Sequence, residues 1–173
     1  MAQVNYFPPD FPADWYAEYL SDHLSGLEES SLWESSKTQR TQSYRFLWLR
    51  TWNNPIAIRI DVNVDGTSRL TTKMASGQAG FGSGRLTQNK KLPLTQQQTD
   101  WFLERIEVHN FWKLPLRDNT FCLDGAAWII EGVRNGTYHI VERWSPISGG
   151  VRDLGLYMVS DLAKMKLAAE DVY

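Results

Sequence analysis

A chain of 173 residues, 42% of them hydrophobic, supports one core of ordinary size and is too short for a second. A formal charge of −2 gives no bulk attraction to nucleic acid or to an anionic membrane. The single cysteine, Cys122, excludes an intrachain disulfide and a cysteine-based zinc site. No basic, apolar leader opens MAQVNYFPPDF, and no later apolar run is long enough to span a bilayer, so a cytoplasmic protein without a membrane partner is expected.

Pro8, Pro9 and Pro12 make the opening extended. Ala13 to Leu24 then places Trp15, Tyr16, Tyr19, Leu20 and Leu24 at helical spacing, with Leu27 just beyond, which predicts an amphipathic helix with an aromatic face. Residues 28–42 are polar apart from Leu32 and Trp33 and read as a short helix and a linker. From Tyr44 the period becomes two. Tyr44 to Trp52 carries large groups on both faces, and Ile56, Ile58, Ile60, Val62 and Val64 alternate with Ala57, Arg59, Asp61, Asn63 and Asp65. A two-residue loop at Asn53-Asn54 would set Leu49 opposite Ile58 and Leu47 opposite Ile60, leaving Tyr44, Phe46, Trp48 and Trp52 on the other face. A third strand, Ser68 to Ala75, matches Val62 with Leu70 and Ile58 with Met74 across a three-residue loop, Asp65-Gly66-Thr67, with a glycine bulge. The glycines at 77, 80, 82 and 84 lack the helix N-terminus and the Lys-Ser/Thr of a phosphate cradle, so this stretch reads as a flexible loop before a short strand, Arg85 to Lys90.

Thr95 and Gln98 have capping-box spacing, which starts a helix at Gln96 that runs to about His109 and buries Phe102, Leu103, Ile106 and either Trp101 or Val108. Ser148-Gly149-Gly150 opens a last helix with Val151, Leu154, Met158, Leu162 and Met165 on one side. Strands interrupted by helices that cannot make regular parallel crossovers argue for an α+β fold, an antiparallel β-sheet with amphipathic helices packed on it. Residues 1–173 form one domain on this reading, with 1–42 an aromatic helical segment and 43–173 the α+β core.

Asp124 to Pro146, DGAAWIIEGVRNGTYHIVERWSP, carries the most information. Asn135-Gly136 between two β-rich runs is a hairpin signal, and a two-residue turn sets Val133 opposite Tyr138, Glu131 opposite Ile140, Ile129 opposite Glu142 and Ala127 opposite Trp144. Together with IRIDVNVDG, the glycine-rich loop and FWKLP, the segment resembles a family of uncharacterised bacterial proteins sharing a DG-x-x-W-x-x-EG…YH-x-V-x-RWSP pattern. The similarity spans Pro55 to Leu167, about two-thirds of the chain. It implies a bacterial origin and the α+β layout, and it carries no activity and no catalytic residues across.

The hairpin register puts Glu131 and Glu142 diagonally adjacent on an apolar face. Such a pair suits acid/base work or a ligand site, or it is neutralised by a cation drawn from Arg50, Arg59, Lys73, Arg85, Arg143 and Arg152. His139 projects from the opposite face, and His23, His109 and His139 are too scattered for a transition-metal site. No nucleophile stands in a catalytic context, and no cofactor motif is visible.

Eight tryptophans are a heavy load, so either the core is unusually aromatic or some aromatic surface awaits a partner, and tryptophan carries binding energy at protein interfaces. The expectation is therefore a non-enzymatic protein that binds a protein partner, as immunity proteins and inhibitors do, through Phe46, Trp48, Arg50, Trp52 and Arg59, without nucleic acid or cofactor. The competing reading is a ligand-binding protein or hydrolase using Glu131 and Glu142 in a pocket beside the glycine-rich loop.

Overall fold

The computed structural model describes residues 4–12, 14–38, 42–118 and 124–173; Cys122 and its loop lie outside them. Six strands make one antiparallel sheet: β1 (Gln42–Arg50), β2 (Ile56–Val62), β3 (Ser68–Ala75), β4 (Leu86–Leu94), β5 (Ala126–Arg134) and β6 (Thr137–Trp144), in the order β4-β3-β2-β1-β5-β6. Helices α1 (Asp14–Gly26) and α2 (Leu32–Thr38) precede the sheet. Helix α3 (Gln96–Val108) follows β4, and α4 (Gly150–Leu156) runs into a π-helical turn, Tyr157–Leu162. The expected α+β class is the class found.

Both sheet faces are covered. On the first, Tyr44, Phe46, Trp48, Ile56, Ile58, Ile60, Leu70, Trp128, Ile130 and Val141 pack beneath Phe102 and Ile106 of α3 and Val151, Leu154, Met158 and Leu162 of the last helical run. On the second, Leu47, Leu49, Ala57, Ala127, Ile129 and Ile140 pack beneath Tyr6, Phe7, Phe11, Tyr16, Leu20, Leu24 and Leu27. The N-terminal segment is thus a third layer, and of the tryptophans Trp48 and Trp128 are fully buried while Trp15, Trp52 and Trp101 are exposed.

The β5–β6 hairpin has the expected register, with Glu131 opposite Ile140 and Ile129 opposite Glu142. Asn135 (φ 52) and Gly136 (φ 80) both adopt the left-handed conformation that a tight primed turn requires. Between β2 and β3 the loop has the expected three residues but is displaced by one position. Asn63 N–H donates to Thr67 C=O at 2.8 Å around Val64-Asp65-Gly66, so Ile60 faces Leu70 and Ile56 faces Met74. The two-residue shift leaves every side chain on its expected face.

The β1–β2 register is the main correction. Trp48 faces Ile56, Phe46 faces Ile58 and Tyr44 faces Ile60, because the chain leaves β1 at Arg50 and re-enters only at Ile56. That shift is odd, and it exchanges the two faces of β1. Tyr44, Phe46 and Trp48 join the isoleucines, while Leu47 and Leu49 go to the N-terminal layer. Strand β4 is longer than expected, running through Pro93 to Leu94. Helix α3 carries the expected capping box but leaves both Trp101 and Val108 exposed.

Candidate functional site

The two carboxylates singled out in the sequence lie on one face and have separate partners. Glu131 is fully buried opposite Arg45 of β1, whose Nε and Nη2 donate to Glu131 Oε2 at 2.8 and 2.6 Å. Tyr138 hydroxyl donates to Glu131 Oε1 at 2.9 Å.

A third acidic group, Glu29, enters from the end of α1. There Glu28 takes a left-handed turn (φ 52), with Glu28 N–H bonded to Ser25 C=O and Glu29 N–H to Leu24 C=O, both at 2.8 Å. This helix-ending geometry commonly uses glycine, and here it drives Glu29 down onto the sheet. Glu29 meets Arg45 at 3.2 Å, Arg59 of β2 at 2.7 Å and Lys73 of β3 at 2.9 Å. Arg59 also reaches Asp61 at 3.0 Å. Burial alone would raise the Glu29 carboxyl, but the charges of Arg45, Arg59 and Lys73 more than reverse this and hold it below its ordinary value. Burial likewise works against the Arg45 guanidinium, and Glu131 and Glu29 outweigh it and raise its pKa. Three cations face three carboxylates, so the cluster is closed in charge.

Glu142 is 8% exposed. It accepts the Tyr16 hydroxyl on Oε1 and Arg117 Nε at 2.6 Å on Oε2, with Arg117 lying 4.6 Å over the Tyr16 ring. Burial first, then the Glu142 charge, raises the Tyr16 phenol far above its ordinary value. Two arginines that did not figure among the expected cations, Arg45 and Arg117, therefore neutralise the pair. Cross-strand proximity of Arg45 to Glu131 follows only from β1–β5 pairing, which the hairpin signal does not reveal. The catalytic or ligand-site reading required carboxylates open to solvent, and that requirement is not met.

The five expected partner-binding residues separate. Phe46 and Trp48 are fully buried against Trp128, with ring centroids 5.2 and 5.1 Å away. Arg50 is buried over Trp48 at 4.1 Å and donates to Asp171 C=O. Arg59 belongs to the ion cluster. Trp52 alone stands in solvent, 57% exposed.

Trp52 has a neighbour that sequence reasoning missed. Phe81, 70% exposed, lies 5.2 Å from it at the tip of the glycine-rich segment. That segment is tied to the β1–β2 connection by Ala79 N–H to Asn53 C=O at 3.0 Å, Gly80 N–H to Thr51 C=O at 2.9 Å and Asn54 Nδ2 to Gly77 C=O at 3.0 Å. Gly80 permits the approach, since a Cβ there would lie 2.9 Å from Thr51 Cγ2 and 3.0 Å from Thr51 O. Behind it, Tyr19 and His23 of α1 bond Ala79 C=O at 3.2 and 3.1 Å. The stretch read as a flexible loop is an anchored turn, and it holds two aromatic rings outward.

Among the described residues no group of three or more His, Cys, Asp or Glu side chains is placed to hold a metal, and no helix is long and apolar enough to cross a membrane. Three residues of the β5–β6 segment have clear structural partners. Trp128 is core, Glu131 is ion-paired, and Gly132 leaves room for Phe111 and Tyr44. No protein-family model matches the chain, and a comparison with curated proteins finds no match.

Proposed function

We propose that the protein is a non-enzymatic cytoplasmic binding protein that docks a protein partner on the corner carrying Trp52 and Phe81, in the manner of an inhibitor or immunity protein. One observation carries this reading: two large aromatic rings in mutual contact are held in solvent by a hydrogen-bonded platform. Exposed, preordered aromatics are the side chains that anchor interfaces, because they bury much area at little entropic cost. The ion pairing of Glu131 and Glu142 supports the non-enzymatic half of the reading. The bacterial setting rests on the sequence resemblance alone, carried above all by the Asp124–Pro146 segment.

The test is affinity capture from bacterial lysate with the intact protein and with the Trp52→Ala/Phe81→Ala variant. A protein recovered by the first and lost with the second is the expected result. Equal recovery by both would remove the corner from the interface.

A further inference from the structure

From Gly66 to Thr99 the chain has no Asp or Glu, yet it contains Arg69, Lys73, Arg85, Lys90 and Lys91. Lys73 is consumed by Glu29. The other four are exposed on the β3–β4 wing, and none has an ion-pair partner among the described residues. In a protein of net charge −2 this is a local segregation of positive charge.

The same wing ends in an open edge. Strand β4 is the outermost strand beyond β3, and Leu94 at its end packs on the first-face core while Thr87 to Pro93 are exposed, beyond the cover of either helical layer. An edge strand presents unpaired backbone N–H and C=O groups. Pairing with a second copy would set the mid-strand Lys90 and Lys91 against their equivalents, and like charges directly opposite are destabilising. The lysines that repel a copy attract an acidic strand. The turn bearing Phe81 leads directly into β4 through Arg85, so the edge continues from the aromatic corner.

We propose that β4 is a β-augmentation site, at which an extended acidic segment of the protein partner adds as a seventh strand, its carboxylates meeting Lys90 and Lys91 while the partner's apolar surface meets Trp52 and Phe81. This rests on the protein-binding reading and names the partner's chemistry. Backbone pairing at the edge supplies affinity, and the side-chain charges select the segment. Nucleic acid is the less suitable occupant, because β4 carries no aromatic side chain on which a base could stack.

The experiment titrates the full chain, by fluorescence anisotropy, into a labelled nine-residue peptide of glutamate pairs separated by single threonines, which sets carboxylates on both faces of an added strand, as the consecutive Lys90 and Lys91 require. Three comparison probes are the same peptide with lysine in place of glutamate, the acidic peptide with proline in place of the threonines, and a single-stranded oligothymidine. The first peptide alone should bind, and Lys90→Glu/Lys91→Glu should weaken it by roughly tenfold or more, since two attractive contacts become repulsive. Melting temperatures of the variants, whose substitutions are all at exposed sites, verify folding. Trp52→Ala/Phe81→Ala should leave peptide binding unchanged. Failure at the edge is thereby separated from failure of the aromatic corner, which partner capture reads. Equal binding of the proline-bearing peptide, preference for oligothymidine, indifference to the Lys90/Lys91 reversal, or no binding of the acidic peptide up to about 1 mM would each overturn the proposal.

Discussion

Removing Arg45 tests the closed ion cluster most directly. In Arg45→Met the guanidinium's bonds to Glu131, Glu29 and Ser30 C=O disappear. Glu29 keeps Arg59 and Lys73, whereas fully buried Glu131 keeps only the Tyr138 hydroxyl. The cluster then holds two cations against three carboxylates, and a buried charge left without its partner costs about 3–5 kcal/mol. With a urea m-value of about 2 kcal/mol per molar, the unfolding midpoint should fall by about 2 M. Deleting Glu131 as well, in Arg45→Met/Glu131→Leu, restores two against two. The double variant should therefore be more stable than Arg45→Met, although it has lost more hydrogen bonds. Tryptophan fluorescence in urea measures all three proteins, with equal m-values licensing the comparison. A double variant no more stable than Arg45→Met would refute mutual compensation as the role of this pair.

The remaining predictions are simpler. Burial holds the His23 imidazole below 6.5, and the cations hold Glu29 below 4.5 against burial, so both groups contribute stability that is present above those values and lost as pH falls through the depressed ones. The urea midpoint should drop between about pH 7 and about pH 5, and less so in His23→Gln; equal drops would exclude His23 as a source. Trp48→Ala should cost about 3–5 kcal/mol and Trp52→Ala within about 0.5 kcal/mol, and similar losses of stability would contradict the assigned faces of β1. Gly132→Ala places a Cβ 2.7 Å from Phe111 Cε1 and 3.1 Å from the Tyr44 ring, for an expected loss of about 1–3 kcal/mol, visible as a lowered melting temperature. A neutral Gly132→Ala would show that this contact yields freely.

What the sequence makes legible depends on where chain geometry is local. Asn135-Gly136 admits essentially one short turn, so the β5–β6 register follows residue by residue. The three-residue loop at Gly66 was readable in length and not in position, and because strand alternation has a period of two, a shift of two residues preserved the faces. β1 offered no such protection, since Tyr44, Phe46 and Trp48 on one side and Leu47 and Leu49 on the other are both large and apolar. Nothing in its pattern selects a face, and the connection from Thr51 to Pro55 is longer than the asparagine pair suggests. The aromatic corner was only half legible, as Trp52 stands out by composition while Phe81 becomes its neighbour only through pairing between backbone segments. Arg45, embedded in an apolar strand, gave no local sign that a carboxylate 86 residues away would face it.

The central place of β1 also governs when the protein can assemble. Its seam with β5 joins the β1–β4 meander to the C-terminal hairpin, and the N-terminal layer, with Tyr6, Phe7, Tyr16 and Leu20, packs across strands from both. On the ribosome that layer is made first, yet its seat is incomplete until β6 has emerged about a hundred residues later, an interval of roughly 5–20 s at ordinary elongation rates. Throughout it, the N-terminal rings have only the part of their seat that β1 to β3 supply. Synthesis order therefore leaves the rings of this layer partly uncovered until β5 and β6 complete the sheet beside β1.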